Sequence, residues 1–337
     1  MAKKSKSIAA KAFAKRPVGA KKASKKPLKV AKPVRAAPGE LRTLLDLVRY
    51  AVSRFSEAQV VFAHGTTDPV AEAAFLVCET LHLRPDQFEM FATACVTSHE
   101  AGRILDLIAQ RIETRKPSAY LVNKIYMRGL PFYVDERVIV PRSFIGELLD
   151  SHFSGQTEDE GASLIDDPGS VERVLDLCTG SACLAILASQ TFHNASVDAV
   201  DLSKDALAVA ARNVSDYGLE DRVSLYQGDL FDAVSDARYD LIITNPPYVD
   251  AGGMAGLPLE CRHEPAMAFD GGIDGLDIVR RILNEAGRHL TPHGGLLCEI
   301  GRGRELLDDA FPQLPLLWLD TDDSEGEVFW VPAEALK

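Results

Sequence analysis

Arg173-Val174-Leu175-Asp176-Leu177-Cys178-Thr179-Gly180-Ser181-Ala182-Cys183-Leu184-Ala185-Ile186-Leu187-Ala188 decides the fold class. A short apolar run, residues 174–177, breaks at a turn around Gly180 and resumes as an apolar helix from Leu184 to Ala188. Strand, tight turn and helix in that order form the unit from which parallel sheets are built. The pattern recurs downstream, with apolar runs at residues 197–200, 223–226, 241–244, 295–299, 316–319 and 326–331 and helical spacing between them. An α/β fold is predicted, a Rossmann-like sheet with helices on both faces. Ligands in such a sheet sit outside the carboxyl ends of the strands.

The residues at those ends carry the chemistry. A turn at residues 178–182 exposes backbone N–H groups and lets a bound molecule approach the chain. A dinucleotide fingerprint needs Gly-x-Gly-x-x-Gly, whereas Gly180 is followed by Ala182 and Ala185, so a dehydrogenase is disfavoured. The second strand ends at Asp201, placed to accept hydrogen bonds from ribose hydroxyls. The third ends in Gly228-Asp229-Leu230, where Asp229 can meet an adenine amino group and Leu230 can cover its face. A lone Asp at a strand end is usually a cap or a solvated charge. Asp176, Asp201 and Asp229, each after or within a strand of one predicted sheet, make a ligand the better reading.

The fourth run ends in Asn245-Pro246-Pro247-Tyr248. An Asn side-chain oxygen and the carbonyl of Pro246 can accept both N–H bonds of a planar amide or amine and aim its weakly nucleophilic nitrogen. Pro247 biases Pro246 toward an extended backbone, and Tyr248 offers an aromatic face to a flat group. Taken alone, the tetrapeptide is equally a turn that ends a strand.

Together these segments resemble the class I S-adenosylmethionine-dependent methyltransferases, and among them the protein-glutamine amide methyltransferases, over roughly residues 40–337. The resemblance rests on Asp176 to Ser181, Asn245 to Tyr248, His263-Glu264-Pro265 and Gly271-Gly272-Ile273-Asp274-Gly275-Leu276. Two branches exist, one acting on peptide-chain release factors and one on the third protein of the large ribosomal subunit. Ser53-Arg54-Phe55, His64-Gly65-Thr66, Tyr133 to Arg137 and Pro141-Arg142-Ser143-Phe144-Ile145-Gly146-Glu147-Leu148 look like the ribosomal branch. The release-factor branch carries a Pro-Glu-Thr-Glu type sequence after the corresponding Pro-Arg.

The resemblance implies S-adenosylmethionine as methyl donor, with Asp176, Cys178, Thr179, Gly180, Ser181, Ala182, Asp201, Asp229, Leu230 and Asn245 at its site. Asn245, Pro246 and Tyr248 are expected to act on the substrate amide beside Pro247, with Arg142, Glu147 and Glu264 shaping the peptide entrance. The family has Gly where Ala182 stands, so the added methyl is expected either to crowd the donor or to stiffen the helix start. The nearest alternative substrate is an adenine or cytosine amine in nucleic acid. A different class of reading is an idle ribosome-assembly factor that keeps the fold.

Charge and composition bound the rest. Residues 1–38 hold thirteen Lys or Arg and no acid, and the whole chain carries −12, which leaves −25 on residues 39–337. So acidic a body disfavours a nucleic-acid substrate and suits a basic protein partner. The Lys-, Ala- and Pro-rich tail is expected to be disordered. It is read as touching rRNA nonspecifically, as a solubilising extension, or as a presequence that has Lys where Arg and Ser are usual. Six cysteines stand without a Cys-x-x-Cys pair or clustered His, so neither a metal site nor a disulfide framework is indicated, and a cytoplasmic setting fits. No apolar run is long enough to span a bilayer. Nothing in the sequence fixes an oligomeric state. The expected organisation is a basic tail (1–38), a helical substrate-recognition domain (39–118), a β-hairpin linker (119–142) and the methyltransferase domain (143–337).

Overall fold

The computed structural model describes residues 36–153, 164–165 and 167–337. Expectations for residues 1–35 and for most of the acidic loop after Phe153 lie outside them. Residues 36–38, placed in the tail by sequence, are already anchored: the Ala36 N–H donates to the Tyr50 hydroxyl at 3.1 Å.

The helical segment comprises α1 (Leu44–Glu57), α2 (Pro69–Thr80), α3 (Phe88–Phe91), α4 (Ser98–Thr114) and α5 (Ser118–Val122). Capping boxes start α1, through Thr43 and Asp46, and α4, through Thr97 and Glu100. Asp68 caps α2 with Pro69 in its first turn, where the fixed φ of proline suits a helix start and its missing N–H costs nothing. Leu47, Ala51, Phe55, Leu76, Ile104 and Ile108 close a core between these helices.

A short hairpin follows, β1 (Ile125–Met127) paired antiparallel with β2 (Leu130–Phe132). Residues 137–140, apolar and β-branched from Val138 to Val140 and inside the segment expected as a β-hairpin linker, form no strand. Their backbone is claimed by side chains instead: the Tyr120 hydroxyl donates to the Val138 carbonyl, and the Val140 N–H donates to Glu264 Oε1 at 2.9 Å. Helix α6 (Ile145–His152) comes next.

Among the described residues seven strands form the main sheet: β3 (Arg173–Leu177), β4 (Ser196–Asp201), β5 (Val223–Gln227), β6 (Tyr239–Thr244), β7 (Leu290–Glu299), β8 (Leu317–Asp320) and β9 (Glu325–Pro332). Their spatial order is β5-β4-β3-β6-β7-β9-β8, parallel from β3 to β7 and antiparallel at β8 and β9. The chain runs outward from β3 to β5 and then returns to lay β6 beside β3. That reversal opens a crevice at the carboxyl ends of β3 and β6, where a ligand fits between diverging loops.

Helices α7 (Cys183–Thr191), α8 (Lys204–Asp216) and α6 share one apolar cluster through Ile186, Val209 and Leu148. Helices α10 (Asp277–Ala286) and α11 (Arg304–Ala310) share the other through Val279, Ile282 and Leu307. Helix α9 (Ala251–Gly256) follows the Asn-Pro-Pro-Tyr loop and buries none of its residues.

Buried charge ties the helical segment to residues 260–264. Arg111 is fully buried, with Nε 2.6 Å from Glu72 Oε1 and Nη2 donating to the Val61 carbonyl at 3.1 Å. Glu260 Oε1 accepts the Val61 N–H at 3.0 Å and lies 3.4 Å from Arg115 Nη1. Removing one partner would strand a buried charge, at a cost of about 3–5 kcal/mol.

Candidate active site

Two adjoining cavities occupy the crevice, of about 310 and 370 Å³. Cys178, Gly180, Asn245, Ile139 and Ala268 border both, so these residues stand at the junction between two binding spaces.

The first cavity is built by the turn after β3 and the ends of β4 and β5. Gly180 has φ +58°, and its N–H donates to Asp201 Oδ2 at 2.8 Å. Asp201 Oδ1 accepts the Ser203 N–H at the same distance. Burial raises the pKa of Asp201, and these two donors oppose that rise. Each oxygen keeps a lone pair for a further donor. Asp229 and Leu230 line the same cavity, and Arg281 Nη2 reaches Asp229 Oδ2 at 3.0 Å. Arg281 and the walls supplied by Ile139 and Ala268 carried no signal in the sequence.

Cys178, Ala182 and Leu230 also adopt left-handed backbone, with φ of 58°, 62° and 54°. Such conformations cost side-chain-bearing residues about 1 kcal/mol or more each and concentrate at functional sites. Ala182 is wholly buried in the apolar cluster beneath the turn and lines neither cavity. Its methyl therefore packs into the core rather than crowding a ligand. Thr179 and Ser181 line the second cavity.

Asp176 lies under this turn. Its Oδ2 accepts the Thr179 hydroxyl at 2.5 Å and the Ala185 N–H at 3.1 Å, whereas Oδ1 has no hydrogen-bond partner among the described residues. Burial lifts the Asp176 carboxyl to about 7. An orphaned carboxylate oxygen suits an incoming cation or a bridging water.

The second cavity is mainly apolar, with Met127, Val140, Leu184, Leu257 and Phe269 in its wall. Asn245, Pro246 and Tyr248 face it, and Pro247 faces the first cavity. Asn245 Nδ2 donates to the Arg142 carbonyl at 2.9 Å. A carbonyl can only accept, so this bond fixes which way the amide points and leaves Oδ1 for a ligand. Burial and the facing Glu299 carboxylate push the Tyr248 phenol well above its usual range. The glycine motif buttresses this loop: a Cβ on Gly271 would stand 2.7 Å from Tyr248 Cα, and one on Gly275 2.5 Å from its carbonyl oxygen.

Arg142 lines the second cavity and donates to the Ala63 carbonyl at 3.1 Å. Glu264 is buried beneath, with Oε2 2.7 Å from His64 Nε2 and Oε1 3.7 Å from Arg142 Nη1. It acts on the cavity through Arg142 and Val140, without lining it. Glu147 is not at the entrance: its Oε1 accepts the Asp322 N–H at 2.9 Å, on the turn between β8 and β9. The expectation that no cysteine has a clustered His also fails, because Cys261 Sγ lies 3.7 Å from His64 Nε2, beside Glu264. These residues lie almost two hundred positions apart, a juxtaposition created by folding.

The family model described as "Methyltransferase small domain" matches residues 149–256. The curated "Ribosomal protein uL3 glutamine methyltransferase" of Bradyrhizobium diazoefficiens is 72% identical over 309 residues, covering 90% of this chain and 96% of that protein. The chain belongs to the uL3 glutamine methyltransferase family. A Bordetella pertussis relative of the same name is 51% identical and covers 88% of this chain and 97% of its own length. Among solved structures, a methyltransferase from Pyrococcus furiosus shares 18% identity with a TM-score of 0.44, over 70% of this chain and 98% of that one. No helix among the described residues is long and apolar enough to cross a membrane.

Proposed function

We propose that this protein transfers a methyl group from S-adenosylmethionine to the side-chain amide nitrogen, N5, of a glutamine in ribosomal protein uL3. The observation that carries the reading is the tethered Asn245 amide, whose donor end is spent on the Arg142 carbonyl while Oδ1 stays available at the cavity junction. The names of the relatives point to the same substrate.

Asp201 would hold the ribose hydroxyls, Asp229 the adenine amino group and Leu230 its face, with Asp176 toward the methionyl ammonium. The turn of Cys178, Thr179, Gly180, Ser181 and Ala182 gives this donor its close approach to the backbone. When bound, S-adenosylmethionine supplies a sulfonium-activated methyl carbon.

On the acceptor side, Asn245 Oδ1 and the Pro246 carbonyl accept the two N–H bonds of the glutamine amide. They draw density toward its nitrogen and hold the lone pair in line with the donor, so positioning carries the rate. A glutamate carboxylate has no N–H to offer and would meet two oxygens, so the same pair rejects it. Tyr248 packs beside the amide. A strong base is unnecessary, because the methylated nitrogen is acidic enough to release its proton to water.

The acidic body supports capture of a basic ribosomal protein, since opposite fields speed encounter. Residues 39–118 serve substrate recognition in this reading, residues 119–142 link them to the catalytic segment 143–337, and the reaction takes place in the cytoplasm. The basic tail adds only nonspecific rRNA contact.

The test is to incubate the purified full-length protein and S-adenosylmethionine with isolated uL3, or with a release factor as control, and follow intact mass. One added methyl on a uL3 glutamine is expected. Methylation of the release factor alone, or of neither protein, would overturn the assignment.

A further inference from the structure

Glu299, the last residue of β7, is almost entirely buried and lines neither cavity. Its Oε2 accepts two bonds, from the Ser143 hydroxyl at 2.6 Å and from the Phe144 N–H at 2.9 Å. Those residues directly follow Arg142, whose carbonyl holds Asn245 Nδ2. The Tyr248 ring lies against Gly301, where a Cβ would stand 2.8 Å from Cε2, and the nearby Glu299 carboxylate helps to raise the pKa of its phenol. One carboxylate thus holds the segment that tethers Asn245 and acts electrostatically on the Tyr248 phenol that follows it.

We infer that Glu299 is a positioning residue for methyl transfer: it pins the 142–144 backbone so that the Arg142 carbonyl holds Asn245 with Oδ1 aimed at the substrate amide. The inference rests on the reading of Asn245 given above.

The reason to keep an acid here is otherwise hard to find. A buried carboxylate is costly, and burial raises the Glu299 carboxyl to about 7. Glu327 on β9 adds to that rise rather than offsetting it, and no Arg or Lys pairs with Glu299 among the described residues. Its compensation comes from the Ser143 hydroxyl and the Phe144 and Ile145 backbone. An apolar residue would pack at less cost but would leave the Phe144 N–H unpaired and the segment before it untied.

The two bonds fall on one oxygen, so an amide can reproduce them. Glu299→Gln can turn its carbonyl to Ser143 and Phe144 and its NH2 to the Tyr248 hydroxyl. Glu299→Ala cannot. Misplacement of a reacting group by about 1 Å costs roughly 100-fold in rate.

The experiment compares the parent, Glu299→Ala, Glu299→Gln, Asn245→Ala and the Glu299→Ala/Asn245→Ala pair. It measures single-turnover methylation of uL3 and the Kd for S-adenosylmethionine. Glu299→Ala is expected to lower the rate about 10- to 100-fold with the donor Kd within about twofold, and Glu299→Gln to recover to within about fivefold of the parent. In the Asn245→Ala background the Glu299→Ala change should cost less than about threefold, because there is no side chain left to aim.

A full multiplicative loss in that background, or a Glu299→Ala rate within twofold of the parent, overturns the inference. Should Glu299→Ala fail to bind donor, Ser143→Ala decides instead: a three- to tenfold slower rate at unchanged Kd supports the inference, and an unchanged rate overturns it. An Asn245→Ala variant as fast as the parent would sink the functional reading itself. An inactive Asn245→Ala beside a fully active Glu299→Ala would sink only this inference.

Discussion

Asn245→Asp separates the two tasks assigned to one side chain. The substitution is nearly isosteric and keeps an acceptor, so a site needing only an oxygen at that position would tolerate it. The structure requires more, because the atom 2.9 Å from the Arg142 carbonyl must be a donor. A carboxylate there sets oxygen against oxygen. The side chain then rotates away, leaving the Arg142 carbonyl unpaired at about 1–3 kcal/mol of stability. Losing one preorganised hydrogen-bonding group that acts on charge developing in the transition state lowers kcat by about 100- to 1000-fold. The assay is single-turnover methylation of uL3 followed by mass, with the donor Kd by calorimetry as control. A negative charge beside the donor should leave that Kd unchanged or tighter. An Asn245→Asp enzyme with kcat within about threefold of the parent would refute the argument that the tether orients Oδ1.

Three further outcomes follow from the same geometry. Asp201→Ala removes the acceptor for the Gly180 and Ser203 N–H groups as well as the one offered to a ribose, so the donor Kd should weaken about 10- to 100-fold; an unaltered value by calorimetry reassigns the residue. Ala182→Gly relieves a left-handed backbone strain of about 1 kcal/mol but deletes a buried methyl worth about 0.8 kcal/mol, so the melting temperature should barely move; a donor Kd tightened more than threefold would show that the methyl crowds the ligand after all. Asp176 is raised in the fold from its ordinary 3.8 to about 7, so its contribution to stability is complete below pH 3.8 and is lost as pH climbs through 7. Asp176→Asn should therefore flatten the fall in urea-derived stability of the ligand-free protein across that window, and parallel curves for parent and variant would contradict the assignment.

Much of the catalytic half was legible because its signals are local. Each parallel strand buried on both faces reads as a short apolar run, and each strand end carries an acid or a turn, so Gly180, Asp201, Asp229 and Asn245, which line the first cavity, and Asp176, buried beneath it without lining either cavity, stood out in one dimension. The helical character expected of residues 39–118 is equally local, since the apolar stripe of α1 and the Asp68-Pro69 start of α2 depend only on near neighbours. The misreadings share a cause. Residues 137–140 look like a strand because their side chains are apolar and β-branched, yet Tyr120 and Glu264, distant in sequence, take the backbone groups that a sheet would need. Glu147 looks like an entrance residue beside Arg142, but the helix turn that separates them sends it to the β8–β9 turn.

The sequence by itself determined the alternation of strand and helix, the chemical character of each strand end and the Asn245-Pro246-Pro247-Tyr248 loop after β6, since these depend on neighbours a few residues apart. Only the tertiary structure decided which end of the Asn245 amide is free, that Glu299 holds the segment behind it, and that His64 meets Glu264 beside Cys261. Those outcomes depend on hydrogen bonds between residues roughly one hundred to two hundred positions apart, and no local pattern encodes a partner at that range.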